Sequence, residues 1–335
     1  MNGGERPLRV LMVSNHRLGR DRHQFAGIFV DRQIESLQRI GVVVDYFDVG
    51  TPNTFRDLWR AWRGLRAHVR QTSPDLVHAQ YGALVGVLAT MSGGRVIVTF
   101  AGSDLHRGGG NLGLLRKILG RSMSNFAALR AARVICVSDE LRRYLWVRRR
   151  AAVVIPRGVD LAHFSPGSKA EARAELGLPP DPPVVLFTGG RDPRNKGLAL
   201  AEEAFALAKR EIPELTFCNI TAPTDPHGML LHYRASDVLL FTSLREGSPN
   251  TIKEALACNL PIVSVPVGDV EERVQGATAS VVLPRDAQTL GRAVVDIIRN
   301  GRQSNGRSIV QAISLEAIAD RIAVLYRDTL SRSSG

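Results

Sequence analysis

The chain has 335 residues, 44% of them hydrophobic and 23% charged. That balance excludes a wholly disordered chain, and the length suits two domains of about 150 residues each. No apolar run reaches the roughly eighteen residues of a membrane-spanning helix. A net charge of +12 invites an anionic partner, yet no zinc pattern, aromatic RNA-binding motif or helix-turn-helix accompanies it, so no nucleic acid is expected.

The opening Met1-Asn-Gly-Gly-Glu-Arg-Pro runs straight into a strand-like Leu8 to Asn15, with neither the apolar segment nor the cleavage site of a signal peptide. A cytoplasmic protein is the expectation. Helix- and strand-like runs then alternate: Gly27 to Ile40, Val42 to Val49, Thr54 to Gln71, Asp75 to Gln80, Ala83 to Met91, Val96 to Thr99, Leu112 to Ala131, Val134 to Val137 and Ser138 to Val147. Such alternation predicts a parallel sheet with crossover helices. Val153 to Pro156 reads as a last strand, and Arg157 to Pro183, rich in Pro, Gly and charge, as a domain junction. A second series follows, with a strand at Val184 to Gly190, a helix over 197–212 and strands over 215–220 and 238–243. A helix over 250–258, a strand over 261–265 and later helices complete it, the last a long run from Ile309 to Leu330. The expected fold class is α/β, with two doubly wound Rossmann-like domains divided as 1–165 and 166–335. Ligands of such sheets bind beyond the carboxyl ends of the strands, so the active site is expected in a cleft between two such edges.

The charge excess belongs to one half. Residues 1–165 hold 25 Arg and Lys against 12 Asp and Glu, while residues 166–335 hold 19 against 20. Arg56-Asp-Leu-Trp-Arg-Ala-Trp-Arg-Gly-Leu-Arg66 and Arg142-Arg-Tyr-Leu-Trp-Val-Arg-Arg-Arg150 mix aromatic rings with positive charge. Such faces can rest on anionic lipid head groups, which makes peripheral attachment at the inner face of a membrane one reading. A solvated Arg-rich surface is the other, since only five of the 44 basic residues are Lys. Cys136, Cys218 and Cys258 are widely spaced and give neither a metal pattern nor a disulfide framework, as suits small core residues in a reducing compartment.

The segment richest in chemistry is Glu246-Gly-Ser-Pro-Asn-Thr-Ile-Lys-Glu254. It lies between a buried-strand candidate, Asp237 to Ser243, and a helix with Ile252, Ala255 and Leu256 at helical spacing. Ser248 is the expected N-cap and Pro249 the first helical residue, so free amides would point out of the carboxyl edge toward a phosphate. Thr251 and Glu254 share a helix face. Two carboxylates flanking an anion site suit sugar hydroxyls, which donate hydrogen bonds to charged acceptors; two acids decorating an exposed helix is the alternative. Gly189-Gly-Arg-Asp-Pro-Arg-Asn-Lys-Gly197 also joins a strand to a helix, and Arg191 and Lys196 could hold a diphosphate there. His78, in Asp75 to Gly82, ends one strand of the first domain and Ser103 and Asp104 follow another, so their side chains are expected to face the cleft, a purely structural role being the alternative for a lone His. Gly27 opens the helix after the first strand.

Glu246 to Glu254, continued as Ala-Leu-Ala-Cys-Asn-Leu-Pro-Ile-Val-Ser-Val-Pro-Val-Gly-Asp-Val270, resembles the donor-site signature of the family 4 (group 1) retaining glycosyltransferases, which have the GT-B fold. The resemblance runs from about residue 8 to 328 and implies two Rossmann-like domains facing across a cleft. It assigns acceptor binding to the first domain and nucleotide-sugar donor binding to the second, and in such proteins the terminal helix often crosses back to the first. It implies that Glu246 holds donor-sugar hydroxyls and Glu254 the ribose, that the amides near Asn250 and Thr251 hold the phosphate with Gly247, Ser248 and Pro249 also in the substrate-binding loop, and that Arg191 and Lys196 hold the leaving diphosphate. Gly27 matches the family's glycine-containing loop near donor phosphates and acceptor. Val154-Ile-Pro-Arg-Gly-Val-Asp160 resembles the Ile-Pro-Asn-Gly-Val-Asp linker, with Arg157 in place of Asn, and Thr99-Phe-Ala-Gly-Ser-Asp104 resembles Thr-Phe-His-Gly-Ser-Asp, with Ala101 in place of His. Between Ile220 and Asp237 the connection is shorter than in many relatives, which leaves the nucleotide base open.

The leading expectation is a retaining glycosyltransferase that moves a sugar from a nucleoside-diphosphate-sugar to a hydroxyl of a glycan or lipid-linked acceptor in polysaccharide biosynthesis. No cofactor and no metal are expected, because no Asp-x-Asp is present and a positive loop can replace a cation. A non-catalytic GT-B relative, altered at Ala101 and supporting a partner enzyme, is the rival. An NAD-linked oxidoreductase is disfavoured because Asn15-His-Arg-Leu-Gly-Arg20 lacks Gly-x-Gly-x-x-Gly.

Overall fold

A computed structural model describes residues 6–15, 27–102, 104–105, 114–190, 192–301 and 303–331. The chain divides into two compact units, Met1–Gly158 together with Leu315–Gly335, and Val159–Ser314. In the first unit, β1 (Arg9–Ser14), α1 (Ile28–Arg39), β2 (Val43–Asp48), α2 (Phe55–Thr72), β3 (Leu76–Gln80) and α3 (Leu84–Thr90) lead to β4 (Val96–Phe100). After these come α4 (Leu114–Arg130), β5 (Arg133–Cys136), α5 (Asp139–Arg143) and β6 (Val153–Val154).

These strands form one parallel sheet in the order β2-β1-β3-β4-β5-β6. Helices cover both faces of its inner members, so β3 and β4 are buried at every position, the polar His78, Gln80 and Thr99 included. Right-handed crossovers place α2, α3 and α4 on one face. Leu65 and Val69 of α2, Val85 and Leu88 of α3 and Ala128 of α4 accordingly share one core with Leu11, Val77 and Val98. α2 starts where the Thr54 hydroxyl oxygen accepts the Asp57 amide at 3.1 Å.

The second unit contains α6 (Lys169–Glu175), β7 (Val184–Phe187), α7 (Pro193–Lys196), α8 (Leu198–Glu211), β8 (Thr216–Asn219), α9 (Pro226–Ala235) and β9 (Val238–Phe241). It continues with α10 (Asn250–Ala257), β10 (Ile262–Ser264), α11 (Val270–Val274), β11 (Val281–Val282), α12 (Ala287–Arg299) and α13 (Gly306–Val310). Its parallel sheet has the order β11-β10-β9-β7-β8, so the winding reverses between β7 and β9. A doubly wound sheet opens a crevice beyond the carboxyl ends of strands at such a reversal. Ala201, Ala204 and Ala208 of α8 and Leu290 and Val294 of α12 pack one face over Val185, Leu240 and Val263. α9 lies in the connection from 221 to 236, for which the sequence reading named no element. Asp225 caps it on the Gly228 amide at 2.6 Å, and Pro226 occupies its first turn.

α14 (Leu315–Ser331) belongs to the first unit and packs against α1 with Ile318, Ile322 and Leu325 buried. The chain leaves this unit at Gly158 and re-enters at Leu315, so closely that a Cβ on Gly158 would lie 2.8 Å from the Leu315 Cα. Tyr326 fastens the helix: its hydroxyl lies 2.6 Å from Nδ1 of His78, whose Nε2 lies 2.7 Å from the Thr99 hydroxyl. This corrects the reading of His78 as a ligand-facing residue. The ring is fully buried, both nitrogens are engaged inside the unit, and burial lowers its pKa from 6.5 to about 3.

A pH dependence follows from that burial. The folded imidazole stays neutral, while in the unfolded chain it takes up a proton as the pH drops below 6.5. Stability from this group is therefore complete above about pH 6.5 and declines toward about 3, with a loss on the order of 2 kcal/mol at pH 5. Thermal melts from pH 7 to pH 5 are expected to show a shallower decline in His78→Gln than in the parent; equal slopes would place the titration elsewhere.

Candidate functional site

At the reversal of the second sheet, two loops are locked together. The loop after β7 turns at Gly190, whose amide donates to the Ile220 carbonyl at 2.9 Å, and Asp192 caps the short α7 on the Asn195 amide at 3.0 Å. α7 ends at Gly197, which has φ +75° and packs directly on β9: a Cβ there would sit 2.1 Å from the Thr242 carbonyl oxygen. The Thr242 hydroxyl donates to the carbonyls of Lys196 and Gly197, both at 3.0 Å, and the Leu244 amide donates to Asn195 O at 2.7 Å. From the far side Arg285 Nη1 donates to the carbonyls of Thr242 and Ser243 at 3.0 and 2.9 Å.

The result is that Lys196 Nζ meets Glu246 Oε1 at 2.6 Å, with side chains 27% and 18% exposed. At that exposure the pair adds little to stability. Its effect is positional, because it holds a cation and a carboxylate together where the sheet opens.

Glu246 begins the loop into α10. Its carbonyl and that of Gly247 abut Gly268, where φ is +61° and a Cβ would approach Gly247 O to 2.8 Å. The N-cap of α10 is Pro249 and the first helical residue is Asn250, one position later than the sequence reading placed them, and no side chain caps the helix. Ser248 is unavailable for capping because its hydroxyl donates to Asp269 Oδ2 at 2.8 Å and accepts from Lys253 Nζ at 3.3 Å. Lys253 is fully buried, and Arg273 Nε stands 3.1 Å from the same Asp269 oxygen. Burial pushes the Asp269 carboxyl above the ordinary carboxylate range, and Lys253, Arg273 and Ser248 pull it back. One turn into α10, Glu254 Oε2 accepts the hydroxyl of Tyr233 at 2.9 Å. Burial and this carboxylate raise the phenol's pKa well above its usual value, so Tyr233 remains a donor that orients Glu254. Asn219 Oδ1, Ser243 Oγ and Asn250 Oδ1, at the ends of β8 and β9 and the start of α10, are buried without a hydrogen-bond partner.

Lys196, Glu246, Gly247, Ser248, Pro249, Asn250, Thr251 and Glu254 thus lie on one carboxyl edge of one unit. Arg191 and Ser103 lie outside the described residues. In the first unit Gly27 precedes α1 as its N-cap. Asp104 is nearly buried and does not face outward as expected. Its carboxylate accepts the amides of Gly82 (2.9 Å), Gly102 (2.9 Å) and Ala101 (3.2 Å), tying the loop after β4 to the loop after β3. Burial raises its pKa against those hydrogen bonds. On the same sheet edge Arg157 lies 3.5 Å over the Phe29 ring and donates to the Tyr81 hydroxyl at 3.3 Å.

Residues 9–163 match the family described as Glycosyltransferase Family 4, and residues 220–300 match Glycosyl transferases group 1. Together the two matches take in more than two thirds of the chain. The chain belongs to the family 4, group 1 glycosyltransferases. A D-inositol 3-phosphate glycosyltransferase from Saccharomonospora viridis is 25% identical over 236 residues, 59% of this chain and 55% of that protein. The chain spans about half the length of the curated relatives it matches. Sucrose-phosphate synthase from Thermosynechococcus elongatus has TM-score 0.76 at 22% identity, over 97% of this chain and 100% of that one. Anabaena Alr3699/HepE, solved with UDP, has TM-score 0.71 at 15% identity, over 96% and 100%. These likenesses show the GT-B fold. No described helix is long and apolar enough to cross a membrane, and no group of three or more described His, Cys, Asp or Glu side chains is placed to hold a metal ion.

Sequence reasoning missed the supports of this site: Thr242, Arg285, Lys253, Tyr233 and Asp269. A Lys inside an otherwise apolar helix face, between Ile252 and Ala255, was the available signal for Lys253.

Substitutions at Gly197, Gly190 and Lys253 test the supports. Gly197→Ala is expected to cost more than about 2 kcal/mol, since left-handed strain and a backbone clash combine, whereas Gly190→Ala, at φ +55° with open space, costs about 1 kcal/mol. Chemical denaturation measures both, and equal losses would show that the Thr242 contact yields. Lys253→Met leaves Asp269 short of a buried cation and is expected to lose about 3 kcal/mol, much of it recovered in Lys253→Met/Asp269→Leu.

Proposed function

We propose that this chain is a retaining glycosyltransferase whose second unit binds a nucleoside-diphosphate-sugar and transfers the sugar to a hydroxyl of a glycan or lipid-linked acceptor. The observation that carries the reading is the Lys196–Glu246 contact beside the uncapped start of α10 at the sheet's reversal. The amides of the first turn of α10 offer hydrogen bonds and a positive dipole end to phosphate. Lys196 adds a mobile cation for charge that develops on the departing diphosphate. Glu246 can exchange part of its contact with Lys196 for sugar hydroxyls, and Glu254, oriented by Tyr233, can accept from ribose hydroxyls. On this reading the chain's own cation and amides neutralise the leaving group. The acceptor is deprotonated by a donor phosphate oxygen on the face from which the diphosphate leaves, so the anomeric configuration is kept.

Family membership supports the reaction class, and the UDP held by Anabaena Alr3699/HepE supports trying UDP-sugars first. The buried, partnerless oxygens of Ser243 and Asn250 favour a polar ligand here over a decorated helix.

Purified protein is expected to gain thermal stability with one nucleoside diphosphate, by about 2.7 kcal/mol at a hundredfold excess over Kd. With the matching donor and a membrane or glycan extract it should form a product of unchanged anomeric configuration, read by NMR, with the same rate in EDTA. Glu246→Gln is expected to lower turnover by about two to three orders of magnitude. Lys196→Ala should weaken nucleotide binding. Binding without transfer by the parent protein would favour a non-catalytic GT-B relative instead, and no binding by any nucleotide would remove the donor-site reading.

A further inference from the structure

The face of the first sheet that carries α2, α3 and α4 presents apolar side chains to the outside. On α4, Ile118, Leu119, Phe126 and Leu129 are 50%, 58%, 44% and 60% exposed. Leu119, Phe126 and Leu129 fall at i, i+7 and i+10 and Ile118 borders them, so they form one outward stripe. Large apolar residues scattered singly need no explanation, but a stripe of four along one helix is a surface feature. α2 presents Phe55 and Trp59 one turn apart, both exposed. α3 lies between the two helices, packing on each, and Trp62 of α2 donates to the carbonyl of exposed Met91 at its end, at 3.0 Å.

Basic residues outnumber acids on α2 and α4. The sequence of α4 contains Arg116, Lys117, Arg121 and Arg130 and no acid. α2 contains five Arg and a single acid, Asp57, which is engaged by Thr54 and by Arg60 at 3.5 Å. The cations sit on the exposed rings: Arg63 lies 4.6 Å from the Trp59 ring centroid, Arg130 5.8 Å from Phe126 and Arg121 4.8 Å from exposed Trp146. Trp146 is joined to α4 through its amide, which donates to Asn125 Oδ1 at 2.7 Å.

We propose that this face docks on an anionic lipid bilayer, with the α4 stripe entering the boundary between head groups and acyl chains and the flanking guanidinium groups at the level of the phosphates. The boundary zone favours this mixture, since aliphatic and aromatic side chains lose contact with water there while Arg keeps its charge beside anionic groups. A stripe buried in a second protein would need its arginines paired one by one. A bilayer surface supplies many equivalent anions and imposes no register. The proposal concerns attachment and stands apart from the transfer reaction.

The test is co-sedimentation of the full chain with vesicles of phosphatidylglycerol and phosphatidylcholine against vesicles of phosphatidylcholine alone, in low and in high salt. Binding to the anionic vesicles is expected to exceed that to neutral ones by at least about tenfold and to weaken with salt. Leu119→Glu/Phe126→Glu is expected to lose at least about tenfold in binding with an unchanged melting temperature, as both side chains are exposed in the folded chain. Arg63→Gln/Arg130→Gln should weaken binding without abolishing it. Parent protein that stays in the supernatant with both vesicle types would overturn the proposal. So would undiminished binding by the Glu variants, or self-association in analytical ultracentrifugation that the same variants abolish while the parent binds no lipid.

Discussion

The contact of Gly197 with the Thr242 carbonyl is the constraint on which the site depends. Two loops leaving neighbouring strands of a doubly wound sheet ordinarily diverge, because the helices that follow them lie on opposite faces. Here a residue without a Cβ, in a backbone conformation that L side chains rarely adopt, lets α7 end directly against β9. The Thr242 hydroxyl then spans both loop carbonyls, and Arg285 holds the same strand end from behind. Only with that closure can Lys196 reach Glu246 at 2.6 Å. A flexible lysine elsewhere would lose side-chain entropy of about 2 kcal/mol to reach the same place, and the packed loop limits how much is left to lose.

Under the start of α10 the electrostatics are arranged rather than merely tolerated. A fully buried lysine is costly unless paired, and Lys253 is satisfied through Ser248 and the Asp269 carboxylate that Arg273 also contacts. This use of Ser248 removes the side chain that sequence rules would assign to capping, so the first-turn amides keep their donors directed outward. The uncapped positive end of the helix dipole biases this corner of the fold toward anions.

Alternating apolar runs made the two parallel sheets legible, because inner strands of such sheets must be apolar on both faces and the intervening segments must be amphipathic. The loops at the strand ends were legible too, as Gly-rich and charged punctuation at 189–197 and 246–254. What local pattern could not convey were contacts between residues distant in sequence. His78 reads as a polar residue near a strand end, yet its partner Tyr326 is 248 positions away, and that hydrogen bond turns a ligand-like residue into a fastener for α14. Asp104 follows the same logic: a carboxylate in a loop looks outward until three backbone amides from two loops are seen to converge on it. Ser248 and Pro249 shifted by one position because a tertiary demand on the hydroxyl outweighed its local role, and α9 was missed because His, Tyr and Gly dilute its apolar stripe.

The two faces of the first sheet are finished in different ways. α14 returns to lie against α1, and both helices bury apolar residues, Val30, Ile34 and Leu37 of α1 and Ile318, Ile322 and Leu325 of α14, on that face. α2, α3 and α4 meet the sheet through small and branched residues that complete a core of their own, and it is beyond this completed core that Ile118, Leu119, Phe126 and Leu129 appear. They therefore contribute nothing to closing the sheet. Folding alone would be served as well by polar residues at those four positions, with a helix of the same length and the same buried Ala127 and Ala128 beneath. The excess of positive charge over the same helices costs some self-repulsion, again without a folding role. Both departures from an ordinary solvated helix occur on one face and fall together at Phe126 with Arg130 and at Trp59 with Arg63, which ties them to a single environment outside the chain.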